Sequence, residues 1–308
     1  ADVQCAAERI APYANRTPVL TSSSINKMVR ANLYFKCENF QKVGAFKFRG
    51  ACNAVFSLSI EEAAKGVATH SSGNHGAALA LAGLLRNIPV HVVMPNNASN
   101  IKKDAVAGYG AEITYCEPTL DARESNLNKI LDSTGAIMIH PYNDERIIAG
   151  QGTAALELLE EYPKLEVVMT PIGGGGLMSG TCIAAKGINS KIIVVGTEPK
   201  GADDAYQSLN KGEIVPQTDP QTMADGLLTS LGVKTFPIIK EHVQEIITVS
   251  EENIVKAMKL VWDELNIVIE PSSAVVLGAL FEDPYTMKGK KVGMILSGGN
   301  ADLENLPW

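Results

Sequence analysis

Three short stretches hold residue types that do chemistry when brought together. In "QKVGAFKFRGACNA" (41–54), Lys47 stands between Phe46 and Phe48, with Gly44 and Gly50 close by. An ammonium in apolar surroundings loses solvation and its pKa falls. The neutral amine is then a nucleophile able to form a Schiff base with a carbonyl. In "IGGGGLMSG" (172–180), four consecutive glycines follow the apolar run "LEVVMTP". Glycine gives up more conformational freedom on folding than any other residue, so a fixed run of it implies a backbone that side chains would obstruct. Between a buried strand and a helix, the N–H groups of Gly173, Gly174, Gly175 and Gly176 would converge at the helix N-terminus and cradle a phosphate. In "THSSGNHGAALALA" (69–82), Ser71, Ser72, Asn74 and His75 lead from a strand end into an apolar helix. Two hydroxyls, an amide and an imidazole at one helix start suit a carboxylate and the transfer of protons.

Each feature also has a plainer reading. Asn74 or Ser72 alone is a helix N-cap, and Lys47 alone is a lysine lying along a helix with its head in water. The glycine run also competes for a dinucleotide fingerprint. Gly174 and Gly176 fit G-x-G-x-x-G/A, but Ser179 stands where the third small residue belongs, while Glu198 closes the following strand as a ribose-binding carboxylate would. A P-loop is excluded, because no Gly-Lys-Ser/Thr follows the run.

The elements that position these residues follow from hydrophobic pattern. Candidate strands are 66–71, 90–94, 112–116, 136–140, 166–170, 191–198 and 291–297, with helical patterns over 74–87, 145–162 and 251–265. Continuous apolar strands alternating with helical crossovers predict an α/β protein with parallel sheets covered on both faces. The stretch 66–143 holds four strand–helix units and reads as a small domain. Residues 1–65 and 144–308 then complete a larger one.

Composition narrows the partners. The chain has 308 residues and a net charge of -7, with no basic stripe, which argues against nucleic acid and anionic membranes. Its longest apolar runs fall far short of the ~20 residues a bilayer span needs. The N-terminal stretch has no apolar core of a signal peptide. Cys5, Cys37, Cys52, Cys116 and Cys182 are odd in number and form no C-x-x-C pair, which predicts reduced, buried thiols in a cytoplasmic protein.

"GAFKFRGA", "SSGNHG", "GGGGL" and "LSGGN", in this order and spacing, resemble the pyridoxal-phosphate enzymes of the tryptophan-synthase-β fold (fold type II). Within them the chain is similar to the serine/threonine dehydratase family, racemases included. The resemblance implies two domains, each a mostly parallel sheet covered by helices, with the small one closing over a small amino-acid substrate. It implies that Lys47 forms the Schiff base with the cofactor and works as acid/base on one side of the substrate α-carbon. The four glycines would bind the cofactor phosphate, Phe46 would pack on its ring, Asn74 would meet its 3′-oxygen and Ser297 its pyridine nitrogen. Ser71, Asn74, His75 and Arg123 would hold the substrate carboxylate.

Ser72 bears on the reaction, since a hydroxyl there would face the α-carbon opposite the lysine. The implied activity is racemisation of L-serine with accompanying β-elimination to pyruvate and ammonia. Dehydration of threonine or 3-hydroxyaspartate is the alternative, because dehydratases of the group share this serine. "TEPKGADDAYQS" (197–208) matches the family's divalent-cation loop, with Glu198, Ala202 and Asp204 offering oxygens to Mg²⁺, Ca²⁺ or Mn²⁺. Lys42, Tyr109 and Asn300 match positions that bind activating ATP in some members, although a family glutamine is replaced by Ala77. A homodimer is implied as well.

Overall fold

The protein is described from a computed structural model covering residues 1–71, 73–98 and 100–308, with Ile101 as backbone only. The expected acid/base Ser72 therefore lies outside the described residues.

Two sheets organise the chain. The larger has six strands in the order β1 (Val19–Leu20), β2 (Asn32–Cys37), β10 (Lys291–Leu296), β7 (Val167–Pro171), β8 (Ile193–Pro199) and β9 (Val243–Val249). Among these strands the β1–β2 pairing is antiparallel and the other pairings are parallel. The smaller runs β5 (Glu112–Cys116), β4 (Val90–Pro95), β3 (Val67–His70) and β6 (Ile137–Met138), all parallel. It is drawn entirely from residues 67–138, and the larger sheet from the chain on either side.

The interior strands β7, β8 and β10 are buried on both faces, as their unbroken apolar runs require. Val167, Met169 and Val195 point into a core shared with the helix Pro271–Glu282. Their neighbours Val168 and Val194 point into a second core, shared with the helix Gly176–Ile188. This alternation is the period-2 geometry of a pleated strand.

The strand boundaries agree with the sequence pattern to a residue or two, except that 136–140 shortens to Ile137–Met138. There the chain reaches His140–Pro141, and a proline ring supplies no N–H for a ladder. Strands β1, β2 and β9 were not foreseen. The buried-thiol expectation needs one correction: Cys5 is exposed on the solvent side of the first helix, while the other four cysteines are buried and free.

The helix Glu145–Glu161 is the spacer between two parts of the cleft. On one side Gly150 meets Gly50 of the helix Lys47–Phe56, so closely that a Cβ on Gly150 would lie 2.6 Å from the Gly50 Cα. On the other side Gly152 meets Gly180 of the helix that follows the four glycines, where a Cβ would lie 2.7 Å from the Gly180 carbonyl. These two crossings set how far Lys47 stands from the glycine loop.

Candidate active site

Lys47 is the first residue of its helix, and the chain before it is tied to the end of β10. Ala45 bridges Gly298, and the Phe46 N–H donates to the Ser297 carbonyl at 3.0 Å. Two residues on, Arg49 points the opposite way, as a 100° step per residue requires. Arg49 is fully buried and clasps two carboxylates. Its Nε and Nη2 donate to Glu38 at 2.7 and 2.8 Å, and its Nη1 and Nη2 donate to Glu157 at 2.8 and 2.9 Å. Lys36, also fully buried, completes the cluster with a 2.6 Å contact to Glu157. Two positive and two negative charges balance, which is what lets them remain ionised in the core. The cluster clamps the lysine helix to β2 and to the spacer helix.

The Lys47 amine reaches the cleft on the other side, half-buried. Its Nζ donates to the Pro141 carbonyl at 3.0 Å and lies 5.2 Å from the centre of the Phe46 ring. Burial pushes its pKa down to about 8, against the pull of the Glu270 carboxylate. An amine so lowered is available in its neutral form near pH 8, which is the form able to attack a carbonyl.

The four glycines run from the end of β7 into the helix Gly176–Ile188, with Gly175 at the N-cap and φ +88°. That left-handed conformation is strained for any side chain. A Cβ on Gly174 would lie 2.3 Å from the ring of Tyr142, so the glycine leaves room for that ring. The Gly174 carbonyl accepts the Thr235 hydroxyl at 2.8 Å. Part of the demand for glycine thus comes from protein packing. The loop that results still aims a helix N-terminus at the cleft and fits a phosphate.

Asn74 begins the helix Asn74–Arg86. Its Nδ2 donates to both Glu270 oxygens at 3.1 and 3.0 Å, and its Oδ1 accepts from Asn300 at 2.9 Å. The Ser71 hydroxyl oxygen accepts the N–H groups of Gly73 and Gly76 at 3.3 and 3.1 Å, shaping the turn. His75 is buried. Its Nε2 donates to the Ile139 carbonyl at 3.3 Å, and its Nδ1 has no partner among the described residues. Burial, then Lys47, hold its pKa well below the usual value, so the ring is neutral. Arg123 lies in the first turn of the helix Leu120–Thr134, half-buried. Its charge reaches His70, whose pKa falls to about 4 chiefly through burial and secondarily through Arg123.

Glu198 and Asp204 come together at the end of β8, both buried. Glu198 accepts the N–H groups of Tyr206 and Ala205 at 2.6 and 3.3 Å, so it is committed to a helix start rather than open to a ribose. Asp204 Oδ2 is buried without a hydrogen-bond partner among the described residues. Burial raises the Glu198 carboxyl to about 9, with Asp204 adding to the effect, and burial raises Asp204 to about 7. Two crowded carboxylates, one with an orphaned oxygen, beside buried Ala202 make a hard-oxygen set that fits a divalent cation. Among the described residues no group of three or more His, Cys, Asp or Glu side chains assembles, so such a cation would draw its other ligands from backbone and water. Of the residues matched to a nucleotide site, Lys42 lies over the Phe48 ring, Tyr109 packs against the core of the small sheet, and Asn300 also donates to the Val43 carbonyl at 2.8 Å.

Sequence reasoning missed Glu270, Arg49, His140, Tyr142 and Thr235. Glu270 had a signal: Glu-Pro before an apolar run is a helix start, and Pro271 does occupy the first helical turn. Arg49 lay inside the quoted lysine motif. Tyr142 and Thr235 had none, because only their tertiary contacts single them out.

Comparisons with known proteins show the family of the chain. A family model described as pyridoxal-phosphate dependent enzyme matches residues 10–298. Serine racemase from Dictyostelium discoideum is 52% identical, over 99% of this chain and 95% of that protein. The beta-hydroxyaspartate dehydratase of Paracoccus denitrificans (strain Pd 1222) is also 52% identical, over 100% and 98%. The solved structure of maize serine racemase superposes with a TM-score of 0.97 at 46% identity, covering 98% of this chain and 94% of that one.

Proposed function

The chain belongs to the pyridoxal-phosphate-dependent enzymes, and from that premise we propose that it converts L-serine to D-serine and also eliminates water from L-serine, giving pyruvate and ammonia. The observation that carries the reading is the Lys47 amine. It is held at the Pro141 carbonyl, with its pKa lowered to about 8, in a chain similar over nearly its whole length to serine racemases.

When bound, pyridoxal phosphate supplies the electron sink that makes an amino-acid α-proton removable. Gly173, Gly174, Gly175 and Gly176 would hold its phosphate, Phe46 would pack on its ring, and Ser297 and Asn74 would meet its pyridine nitrogen and 3′-oxygen. A neutral hydroxyl at Ser297 would not hold that nitrogen protonated as a carboxylate would. Ser71, Asn74, His75 and Arg123 orient the substrate carboxylate. Lys47 takes the α-proton on one side of the α-carbon. Ser72, assigned from its place in "SSGNHG", delivers a proton on the other side for racemisation. In elimination the β-hydroxyl leaves as water, and the remaining enamine is hydrolysed to pyruvate and ammonia.

Further parts of the reading rest on narrower support. Mg²⁺, or Ca²⁺ or Mn²⁺ in its place, binds at Glu198, Ala202 and Asp204; the orphaned Asp204 oxygen supports this. Residues 66–143 close over the substrate as a small domain. ATP at Lys42, Tyr109 and Asn300, a homodimeric assembly and a cytoplasmic location follow the family resemblance. No helix among the described residues is long and apolar enough to cross a membrane. Dehydration of threonine or 3-hydroxyaspartate is the second reading, favoured by the equally similar Paracoccus dehydratase.

The deciding experiment incubates the protein with L-serine, with and without Mg²⁺, and quantifies D-serine and pyruvate together. Substantial D-serine supports the racemase. Pyruvate alone makes the chain a dehydratase, to be assayed next with threonine and 3-hydroxyaspartate.

A further inference from the structure

Between the small sheet and the spacer helix the chain passes through His140, Pro141, Tyr142 and Asn143, and each of the four touches something that matters to the cleft. Pro141 has no N–H, so the next backbone donors after His140 are those of Tyr142 and Asn143. Both go to one atom: His140 Nδ1 accepts them at 3.2 and 2.9 Å. An atom that accepts two N–H groups carries no proton, so the ring is the neutral tautomer with hydrogen on Nε2. Burial, then the charges of His70 and Lys47, agree with this by holding its pKa down to about 4, while Asp144 pulls the other way.

The turn so folded makes three outward contacts. The Pro141 carbonyl holds the Lys47 amine at 3.0 Å. The Tyr142 ring, edge-on to His140 with centroids 4.5 Å apart, lies against Gly174. Asn143 Oδ1 accepts the Lys234 N–H at 2.8 Å, in the turn whose Thr235 hydroxyl donates to the Gly174 carbonyl at 2.8 Å. One four-residue turn therefore braces the lysine and the glycine loop at the same time.

We propose that His140 is a positioning residue: by gathering the Tyr142 and Asn143 N–H groups on Nδ1, it folds the 140–143 turn that sets the Lys47 amine at a fixed distance from the phosphate cradle. Its role is to pre-form the cofactor site, without touching the reacting atoms. The inference rests on the cofactor reading above and is independent of which amino acid is the substrate.

Two near-isosteric variants separate the ring nitrogens. Asparagine carries an oxygen where His Nδ1 lies, and glutamine carries one where Nε2 lies. Apoprotein of the parent, His140→Asn and His140→Gln is titrated with pyridoxal 5′-phosphate, reading visible absorbance, induced circular dichroism and the dissociation constant; melting temperatures of the apoproteins are taken alongside. The expected result is an affinity within about threefold of the parent for His140→Asn and a loss of about tenfold or more for His140→Gln, roughly 1.4 kcal/mol. The induced dichroism weakens in the glutamine variant at saturating cofactor. Equal affinities in the two variants, or a reversed order, overturn the proposal. So does a loss in both that merely follows their melting temperatures, since that is what a structural role alone produces. A parent protein that takes up no pyridoxal phosphate would instead sink the cofactor reading itself.

Discussion

Asn74 and Glu270 are 196 residues apart in the chain, yet the Asn74 amide donates to both oxygens of the Glu270 carboxylate, at 3.1 and 3.0 Å. The contact joins the start of the helix that follows β3 to the N-cap of the helix Pro271–Glu282, so it spans the cleft between the two sheets. Glu270 is buried, and burial lifts its carboxyl to about 7, with Asn74 resisting the shift.

That value has a consequence for stability. A carboxyl raised from 4.5 to about 7 keeps its proton in the folded protein where the unfolded chain has lost it. The folded state then binds more protons, so its stability falls as the pH climbs through that interval and levels off above it. Glu270→Gln cannot titrate and should flatten this part of the curve. Melting temperatures of the two proteins between pH 4.5 and 8 test it, and parallel curves would refute the assignment.

Lys47 should show its lowered pKa in the rate at which apoprotein takes up pyridoxal phosphate. Only the neutral amine attacks a carbonyl, so the rate should rise with pH and level off near 8, where an ordinary lysine would keep gaining toward 10.5. Lys47→Ala should lose the absorbance of bound cofactor and roughly 10³-fold or more of turnover. Retained turnover would end the proposed mechanism.

Ser72→Ala should depress D-serine formation by about 10²-fold, the scale of a lost acid/base, and pyruvate formation from L-serine much less. Measuring both products from one reaction gives the ratio directly. An unchanged ratio would remove any special part for this hydroxyl.

Arg49→Met should destabilise the fold by about 3–5 kcal/mol, because Glu38 and Glu157 are left as buried charges with only Lys36 to offset them. Denaturant unfolding measures the loss. A change below about 1 kcal/mol would mean that water enters the cluster and the clamp on the lysine helix is weak.

Adding Mg²⁺ should raise the melting temperature, and chelation should lower it. A site at a cation concentration a hundredfold above its dissociation constant contributes about 2.7 kcal/mol. Asp204→Asn should abolish the response. Indifference to both cation and chelator in the parent would withdraw Glu198, Ala202 and Asp204 as ligands.

The unforeseen elements share a physical cause. The strand "NLYFKC" lies inside the larger sheet, but its apolar pattern is interrupted by Lys36, whose amine is satisfied by the Thr17 carbonyl and by Glu157, 121 residues away. The edge strand "VQEIITV" loses its alternation because a bulge against β8 inserts Gln244, with Val194 paired to Val243 and the next residue, Val195, to Glu245. Local pattern cannot register a partner supplied by a distant element, so both were missed on the same ground.

What the sequence determined by itself was the set of chemical groups and their local frames. A lysine between phenylalanines, four glycines after a buried strand and a polar turn before an apolar helix are each legible because strand, turn and helix propensities act over a few residues. Tertiary structure alone decided which frames meet. Placing β10 between β2 and β7 carries Ser297 to Phe46, and the Gly50–Gly150 crossing seats the lysine helix. The Pro141 carbonyl becomes the acceptor for Lys47, and Tyr142 becomes the brace for Gly174. Those contacts depend on strand order and helix spacing, which are set by packing over the whole molecule.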